Sequence, residues 1–210
     1  MSKKIFITGI DTDSGKTYAT GHIAKKLMEE GKKVATLKFI QTGCDQKSED
    51  IEKHREIMGI ELAEDSEGIT CPLIFHYPAS AQLAAKLDNR EIDLDLVDKA
   101  IKNLENNYDV ILIEGAGGLM VPITDDYFTI DYIKDKNLPV ILVTNGILGS
   151  INHTILSLEA LASRGITVEA LAYNIFFDKD AVISEDTKGF LKRYLEKNNP
   201  ETTWIEIPTI

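Results

Sequence analysis

The chain has 210 residues and a formal net charge of -11, a length that suits one domain. Hydrophobic residues make up 43% of the sequence and charged residues 27%, as in ordinary globular proteins. The acidic balance argues against nucleic acid or an anionic membrane surface as a partner, because both favour a basic face. We therefore expect a single domain over residues 1–210 that binds neither of them.

The cysteines and the first residues indicate where the protein acts. Cys44 and Cys71 form no C-x-x-C pair, so free thiols are expected and not a zinc or redox site. The apolar segment that follows Lys4 is about five residues long, too short for a signal-peptide core or a membrane span. Both features predict a cytoplasmic protein.

Short apolar runs rich in β-branched residues predict buried strands, and amphipathic stretches between them predict helices. In chain order we expect strands at 5–8, 34–40, 110–113, 140–144 and 168–174, and helices at 17–30, 94–104, 151–162 and 184–197. This alternation predicts an α/β fold of the P-loop NTPase type, with a single doubly wound, mostly parallel sheet flanked by helices. Two long connections, 41–48 and about 69–90, interrupt it, and such loops are often functional.

The loop after the first predicted strand, Gly9 to Thr17, has the composition of a phosphate-binding loop. Backbone N–H groups of such a loop face phosphate oxygens at the start of the next helix. Lys16 would place a positive charge on the β- and γ-phosphates, and Thr17 would offer a hydroxyl to magnesium. The usual pattern has a glycine where this chain has Ile10, and Gly9 lies one position earlier. An ordinary strand–turn–helix junction is the alternative.

Charged residues end two further predicted strands. Lys38 lies in or at the end of an apolar strand, where a lysine is costly to bury unless it meets an anion. Taken alone, it favours a strand-end lysine that reaches solvent. Glu114 follows the third strand and precedes a glycine-rich segment, 115–118. An acid at this place commonly holds magnesium in phosphate-loop proteins, and glycines let the backbone approach a ligand.

Further candidates follow the first long connection and the fourth strand. Asp50 would complete a magnesium shell with Thr17 and Glu114, although Glu49 is an equal candidate from chemistry alone. Ser150 is placed to cap the next helix, whose N-terminus would also suit a carboxylate; capping is the favoured interpretation. The histidines His22, His54 and His76 are interpreted as structural or surface residues.

Together these motifs resemble dethiobiotin synthetase, the ATP-dependent cyclo-ligase of biotin synthesis. The resemblance covers essentially the whole chain, and its motifs occur in order: Gly-x-Asp-Thr-Asp-x-Gly-Lys-Thr at 9–17, Lys38 with Thr42-Gly43, Glu-Gly-Ala-Gly-Gly at 114–118 with Val121-Pro122, Leu-Gly-x-Ile-Asn-His at 148–153, and Asn174. The displaced glycine, Gly9, matches this family's version of the loop.

The resemblance implies an activity and its participants. The substrates would be 7,8-diaminopelargonic acid, CO2 and ATP, with Mg²⁺ required. One amine would take up CO2 to form a carbamate, which attacks the γ-phosphate to give a carbamic–phosphoric anhydride. The second amine would then close the ureido ring and expel phosphate. The family also implies a homodimer with its active sites at the interface.

The resemblance assigns roles to residues by position. Lys38 and Lys16 would be catalytic, and Thr17, Asp50 and Glu114 would bind the metal. Contacts to ATP would come from Asp13, Ser14, Gly15, Lys16, Thr17, Tyr18, Asp50, Glu114, Gly115, Ala116, Gly117, Asn174 and Pro208, with Asn174 reading adenine. The substrate would be contacted by Thr42 and, at a carboxylate site supplied by the second subunit, by Gly149, Ser150, Ile151 and Asn152.

Three features depart from the family pattern. Phe39 replaces the usual proline after the catalytic lysine. Ile175 stands directly after Asn174, where members often have Asp or another polar residue. The sequence ends at 208–210, where members often continue. Selectivity for adenine therefore stays open.

Three alternatives share parts of the pattern. They are an ATP-driven switch of the partitioning or cell-division type, a domain related to cobyrinate amidotransferases, and a non-catalytic nucleotide-binding regulatory module. A switch would carry its signature lysine where this chain has Asp11, and the sequence contains no glutaminase portion. Lys38 and Thr42 argue against a module without catalysis.

Overall fold

The computed structural model describes residues 2–209, and its central feature is a parallel six-stranded sheet. In chain order the strands are β1 (Lys3–Gly9), β2 (Val34–Lys38), β3 (Gln41–Thr42), β4 (Ile74–Phe75), β5 (Val110–Gly118), β6 (Val140–Asn145), β7 (Val168–Asn174) and β8 (Thr203–Ile207). The main sheet has the order β2-β5-β1-β6-β7-β8, with parallel pairing throughout. The short strands β3 and β4 pair in a separate sheet.

Eight α-helices connect the strands within the described residues. They are α1 (Lys16–Glu29), α2 (Glu49–Met58), α3 (Ala63–Ser66), α4 (Ala81–Leu87), α5 (Leu94–Leu104), α6 (Thr129–Asp135), α7 (Ser150–Ser163) and α8 (Ala181–Asn198), with a 3₁₀ turn at Ile175–Phe177. No helix of residues 2–209 is both long and apolar enough to cross a bilayer.

Both faces of the central strands are buried. Successive residues of a strand point to opposite sides of the sheet, so each central strand contributes to two cores. In β1, Ile5 and Ile7 pack with Ala19 and Ile23 of α1, whereas Phe6 belongs to the larger core on the other face. Helices therefore cover the sheet on two sides, which confirms the predicted doubly wound α/β fold.

Strand β5 is longer than predicted. The prediction placed Glu114 and the glycines after the strand, but the strand runs to Gly118. The extension has partners on both sides, since Glu114 pairs with Ile7 of β1 and with Lys38 of β2. The glycine-rich segment therefore continues the central strand towards the loop that follows β1, where Gly118 pairs with Gly9.

Several elements were missed because their sequences lack a long apolar run. The last strand, β8, lies at an edge of the sheet and is mostly half-buried or exposed, so its sequence mixes Trp204 and Glu206 with apolar residues. Helices α4 and α6 have only seven residues each. The predicted loop at 69–90 contains β4 and α4, and the one at 41–48 begins with β3.

Candidate functional site

The loop between β1 and α1 is closed by contacts that require glycine at two positions. A Cβ atom on Gly9 would lie 2.1 Å from Ser14 Oγ and 2.9 Å from the carbonyl oxygen of Asp11. This close approach gives a physical reason for a glycine at position 9. Gly15 forms the N-cap of α1 and has a φ of 87°, a conformation that favours glycine. No side chain caps the helix at this residue, so the amide groups at the start of α1 remain available to an anion.

Lys16 is buried at the centre of this loop. Its Nζ donates hydrogen bonds to the carbonyl oxygens of Asp11 and Thr12, at 2.9 and 2.8 Å. Burial lowers the pKa of Lys16 to about 8, and the nearby carboxylate of Glu114 limits that decrease. The ammonium group is thus held in the loop by backbone oxygens, where an anionic ligand would stabilise its charged form.

Three oxygen-bearing side chains from three different elements converge beside the loop. Thr17 Oγ1 lies 2.9 Å from Asp50 Oδ1 and 3.0 Å from Glu114 Oε1. A hydroxyl group has one hydrogen, so it satisfies only one of these carboxylates at a time. The three oxygens together form a donor set of the kind that Mg²⁺ prefers, with few carboxylates and room for phosphate oxygens. The residues present therefore fit magnesium.

Helix α2 brings Asp50 to this cluster. The helix begins at a Ser48 N-cap, whose side chain accepts a hydrogen bond from the backbone N–H of Ile51, and it ends at Gly59 with a φ of 71°. Asp50 lies in its first turn and faces Thr17, whereas Glu49 lines the neighbouring cleft. Within residues 2–209 no group of three or more His, Cys, Asp or Glu side chains forms a ready-made metal site.

Lys38 ends strand β2 and is paired with two carboxylates. Its Nζ donates to Glu114 Oε1 at 2.8 Å and to the carbonyl oxygen of Gly115 at 3.2 Å, and it forms an ion pair with Asp50. Burial alone would lower the pKa of Lys38, but the charges of Glu114 and Asp50 outweigh it and raise the pKa above its usual range. Lys38 is therefore a buried cation and not a strand-end lysine that reaches solvent.

Glu114 is fully buried and holds a negative charge. Burial would raise its pKa, but the charge of Lys38 and the hydrogen bond from His54 hold the pKa well below its usual range. His54 Nε2 lies 2.6 Å from Glu114 Oε2, and the histidine itself is fully buried. From the sequence, His54 is interpreted as a structural or surface residue; in the structure it is a buried partner of Glu114. Its only sequence signal was its position one helical turn after Asp50.

A cleft of about 540 Å³ opens from the loop towards the end of the sheet at β7 and β8. Asn174 lies at its inner wall, where its Oδ1 accepts a hydrogen bond from the backbone N–H of Phe176. The cleft is lined by Thr12, Asp13, Gly15, Lys16, Thr17, Tyr18, Glu49, Asp50, Lys53, Asn174, Phe176, Phe177 and Pro208. Eight residues predicted to contact ATP thus lie around one cavity.

The remaining predicted ATP contacts do not line this cleft. Glu114 reaches the cluster through Thr17. Gly117 approaches the loop, since a Cβ placed on it would lie 3.7 Å from Thr12 Oγ1, and Gly115 and Ala116 precede it in the same strand. Ser14 is buried beside Gly9, and within residues 2–209 its hydroxyl has no hydrogen-bond partner.

The residues predicted to contact the substrate are only partly brought together. Thr42 lies in β3, and among the described side chains no hydrogen bond joins it to Lys38 or Glu114. The segment from Gly149 to Asn152 starts α7 and lines no part of the 540 Å³ cleft.

The predicted cap of α7 was wrong. Gly149, with a φ of 102°, is the N-cap, and Ser150 is the first helical residue. Its Oγ donates to Asn145 Oδ1 at 2.5 Å, so the hydroxyl is directed to the end of β6 and not to the helix amides.

Comparison with known sequences relates this site to one family of enzymes. A family model described as an AAA domain matches residues 3–202. The chain is 54% identical over 203 residues to the ATP-dependent dethiobiotin synthetase BioD 2 of Pasteurella multocida (strain Pm70), an alignment that covers 96% of this chain and 95% of that one. The chain belongs to the dethiobiotin synthetase family. A second family member, the BioD of Chlorobaculum tepidum, is 47% identical over 193 residues, which cover 90% of this chain and 81% of that one.

This dethiobiotin synthetase family member is therefore an ATP-dependent ligase, which confirms the predicted class of enzyme. Membership of this family does not favour an ATP-driven switch or a non-catalytic nucleotide-binding regulatory module.

Solved structures share its fold at low sequence identity. Chloroplast FtsY from Physcomitrella patens matches with a TM-score of 0.57 at 17% identity, over 97% of this chain and 57% of that one. The hydrogenase maturation factor HypB from Archaeoglobus fulgidus matches with a TM-score of 0.52 at 13% identity, over 99% and 81%. At these identities the likeness shows the P-loop NTPase fold alone.

Proposed function

We propose that this chain carboxylates 7,8-diaminopelargonic acid with CO2 and closes the product to dethiobiotin, using ATP and Mg²⁺. One amine adds to CO2 and loses a proton to give a carbamate. A carbamate oxygen attacks the γ-phosphorus and displaces ADP, and the second amine attacks the carbonyl carbon and expels phosphate. The observation that carries the proposal is the buried Lys38, which joins the carboxylates of Asp50 and Glu114 beside the phosphate-binding loop.

The triphosphate occupies the cleft in this proposal. The loop amides and Lys16 bind the phosphates, because a helix N-terminus and a lysine both stabilise negative charge. Tyr18 lines the cleft beside the loop. The base then lies near Asn174 and Pro208, which line the same cleft. Adenine selectivity through Asn174 is part of this proposal.

Thr17, Asp50 and Glu114 hold the metal, on the support of their converging oxygens. Magnesium, when bound, neutralises phosphate charge and stabilises the charge that develops during phosphoryl transfer. Asp50 is preferred over Glu49 because Asp50 contacts Thr17 and Lys38, whereas Glu49 only lines the cleft.

Lys38 acts as an electrostatic group. Carbamate and triphosphate are both anionic, so a fixed cation between them lowers their repulsion. Although burial opposes it, the carboxylates of Glu114 and Asp50 raise the pKa of Lys38, so its amine is held protonated, the form that stabilises negative charge. Catalysis then rests on positioning and on preorganised charge, without a covalent intermediate on the protein.

A homodimer would complete the substrate site. Four exposed apolar side chains, Met120, Ile147, Leu148 and Leu156, support a subunit interface next to the start of α7. Met120 and Leu156 line one surface cavity, and Ile147 and Leu148 are consecutive residues just before α7. Exposed apolar surface of this kind marks interaction sites. Thr42 of one subunit would contact the diamine, and the segment 149–152 at the start of the other subunit's α7 would bind the substrate carboxylate.

The remaining predictions concern the whole protein. We propose that residues 1–210 act as one synthetase domain and that the protein works in the cytoplasm. The second part is supported by Cys44 and Cys71, which are free, buried thiols within residues 2–209.

The direct test is product formation. Incubation with the diamine, carbon-13-labelled bicarbonate and MgATP should give dethiobiotin that carries the label, together with equal amounts of ADP and phosphate. Mass spectrometry identifies the product, and a coupled assay measures ADP. Release of ADP that needs no diamine, with no labelled dethiobiotin, would instead favour a nucleotide-driven switch.

A further inference from the structure

The two carboxylate oxygens of Glu114 face different partners. Oε1 faces the reaction site, where Thr17 Oγ1 lies at 3.0 Å and Lys38 Nζ at 2.8 Å. Oε2 lies 2.6 Å from the buried His54 Nε2. A carboxylate held in this way cannot rotate without breaking a contact in a fully buried environment, where an unpaired charge is costly.

His54 is itself held on its other side. Its Nδ1 lies 3.0 Å from Thr36 Oγ1, which also accepts a hydrogen bond of 2.7 Å from Arg55 Nη1. With Arg55 donating to Thr36, the hydroxyl hydrogen of Thr36 remains free to be donated to Nδ1. The ring then carries its hydrogen on Nε2 and donates it to Glu114, which is ionised.

The local structure explains why these groups meet. Asp50 and His54 are four residues apart on α2, so they lie on one face of the helix, one turn apart. Thr36 and Lys38 are two residues apart on β2 and lie on one face of the strand. Helix α2 therefore presents Asp50 to Lys38 and Thr17, and one turn later presents His54 to Glu114.

We propose that His54 is a positioning residue for the magnesium site. Its hydrogen bond to Oε2 fixes the Glu114 carboxylate so that Oε1 faces Thr17 and Lys38. The inference rests on the proposed role of Glu114 as a metal ligand. It adds a residue that touches neither substrate nor metal and acts through Glu114 alone. Hydrogen-bond partners of metal-binding side chains orient those side chains and tune the affinity for the metal.

The test compares two substitutions of His54. His54→Gln keeps an N–H donor near the position of Nε2, whereas His54→Leu fills the space without a donor. Binding of a fluorescent ATP analogue is titrated with Mg²⁺. The Leu variant should need about 10- to 100-fold more Mg²⁺ for half-maximal binding, and the Gln variant no more than about threefold more. Saturating Mg²⁺ should restore most of the turnover of both variants.

Two controls separate positioning from a general loss of stability. His76→Gln changes an exposed histidine and should leave the Mg²⁺ requirement unchanged. Ile57→Ala removes buried side-chain atoms from α2 beside Gly21, away from Glu114, and should lower the melting temperature without raising the Mg²⁺ requirement. If His54→Leu does not fold, Thr36→Val supplies the test, because it removes the hydroxyl that holds the ring and keeps the β-branched shape.

The outcomes distinguish this inference from the proposed function. A Mg²⁺ requirement that is the same in His54→Leu, or in Thr36→Val, as in the unmodified protein would overturn the positioning role. An equal shift in Ile57→Ala would overturn it too. If Asp50→Asn and Glu114→Gln also leave the Mg²⁺ requirement unchanged, the metal site itself is misassigned.

Discussion

Lys38 and Glu114 are direct neighbours across strands β2 and β5, and Lys38 Nζ lies 2.8 Å from Glu114 Oε1. Asp50 forms the second ion pair with the same ammonium group. The pairing places one positive charge between two negative ones at the point where the central strands meet the phosphate-binding loop.

Lys38→Met removes the charge and keeps much of the side-chain length. We expect turnover to fall by about 100- to 1,000-fold, since loss of one preorganised charge or donor in a buried site has an effect of this size. ATP binding should remain measurable by fluorescence titration, because the loop and Lys16 are unchanged. Lys26→Met, at an exposed position of α1, is the matched control. Near-normal turnover in Lys38→Met would exclude the proposed role.

Asp50→Asn and Glu49→Gln separate two adjacent acids. Asp50 contacts Thr17, so Asp50→Asn should raise the Mg²⁺ concentration for half-maximal turnover by about tenfold or more. Glu49→Gln should change it little, because Glu49 only lines the cleft. The reverse result would move the metal ligand to Glu49.

Asn174→Ala tests how the base is read. The side chain lies 2% exposed at the inner wall of the cleft, and a Cβ placed on Gly15 would lie 2.0 Å from its Nδ2. Loss of one hydrogen bond should reduce the preference for ATP over CTP or GTP by about 3- to 10-fold. Competition binding measures this ratio, and Asn107→Ala at an exposed position serves as the control. An unchanged ratio would assign base selection to other cleft residues.

Leu148→Asp tests the proposed homodimer. Leu148 is 82% exposed, and a charge placed in a buried subunit contact is costly. Sedimentation velocity should show dissociation to monomers and a parallel loss of turnover. Leu87→Asp introduces the same charge at an exposed leucine of α4 and should leave the association state unchanged. A protein that is monomeric at working concentrations before substitution would contradict the interface.

Asp65→Asn should remove stability that is present near neutral pH and absent in acid. Although burial opposes it, hydrogen bonds from Arg55 and Thr70 hold the pKa of Asp65 below its usual value. A carboxylate whose pKa is lowered by folding stabilises the protein above its unfolded-state pKa and ceases to do so as the pH falls through the folded value. The free energy of unfolding should drop by about 1–2 kcal/mol near neutral pH, a moderate value because Asp65 is partly exposed.

Urea denaturation at several pH values measures this difference. It should shrink below about pH 4, where the unmodified carboxylate becomes protonated in the unfolded chain and then in the folded one. A difference that is constant down to pH 3, or that grows in acid, would contradict the sign of the argument.

The buried strands and the phosphate-binding loop could be predicted because their signals are local in sequence. Strand β7 and helix α5 have the predicted boundaries, since each is a continuous apolar run or a regular amphipathic stretch. Strand β8 was not predicted, because an edge strand that is half exposed needs no such run. Its position is fixed by pairing with β7, which is a tertiary contact.

The candidate site also combines residues with a local sequence signal and residues that only tertiary contacts bring together. Lys16 and Thr17 could be recognised in one short motif, whereas His54 could not, because its partner Glu114 is 60 residues away in the chain. The extension of β5 through Glu114 to Gly118 also depends on neighbouring strands, since glycines have little strand preference of their own. Contacts between distant segments therefore bring together Thr17, Asp50 and Glu114 and place His54 against Glu114.

The edge position of β8 also affects the cleft. This strand has one strand neighbour, β7, and the residue directly after it, Pro208, forms part of the cleft wall. A strand paired on one side opens locally at a lower free-energy cost than the central strands. Pro208 can contribute binding energy only while β8 stays paired with β7. A ligand in the cleft therefore stabilises the pairing of β8, and the paired β8 in turn strengthens binding of that ligand.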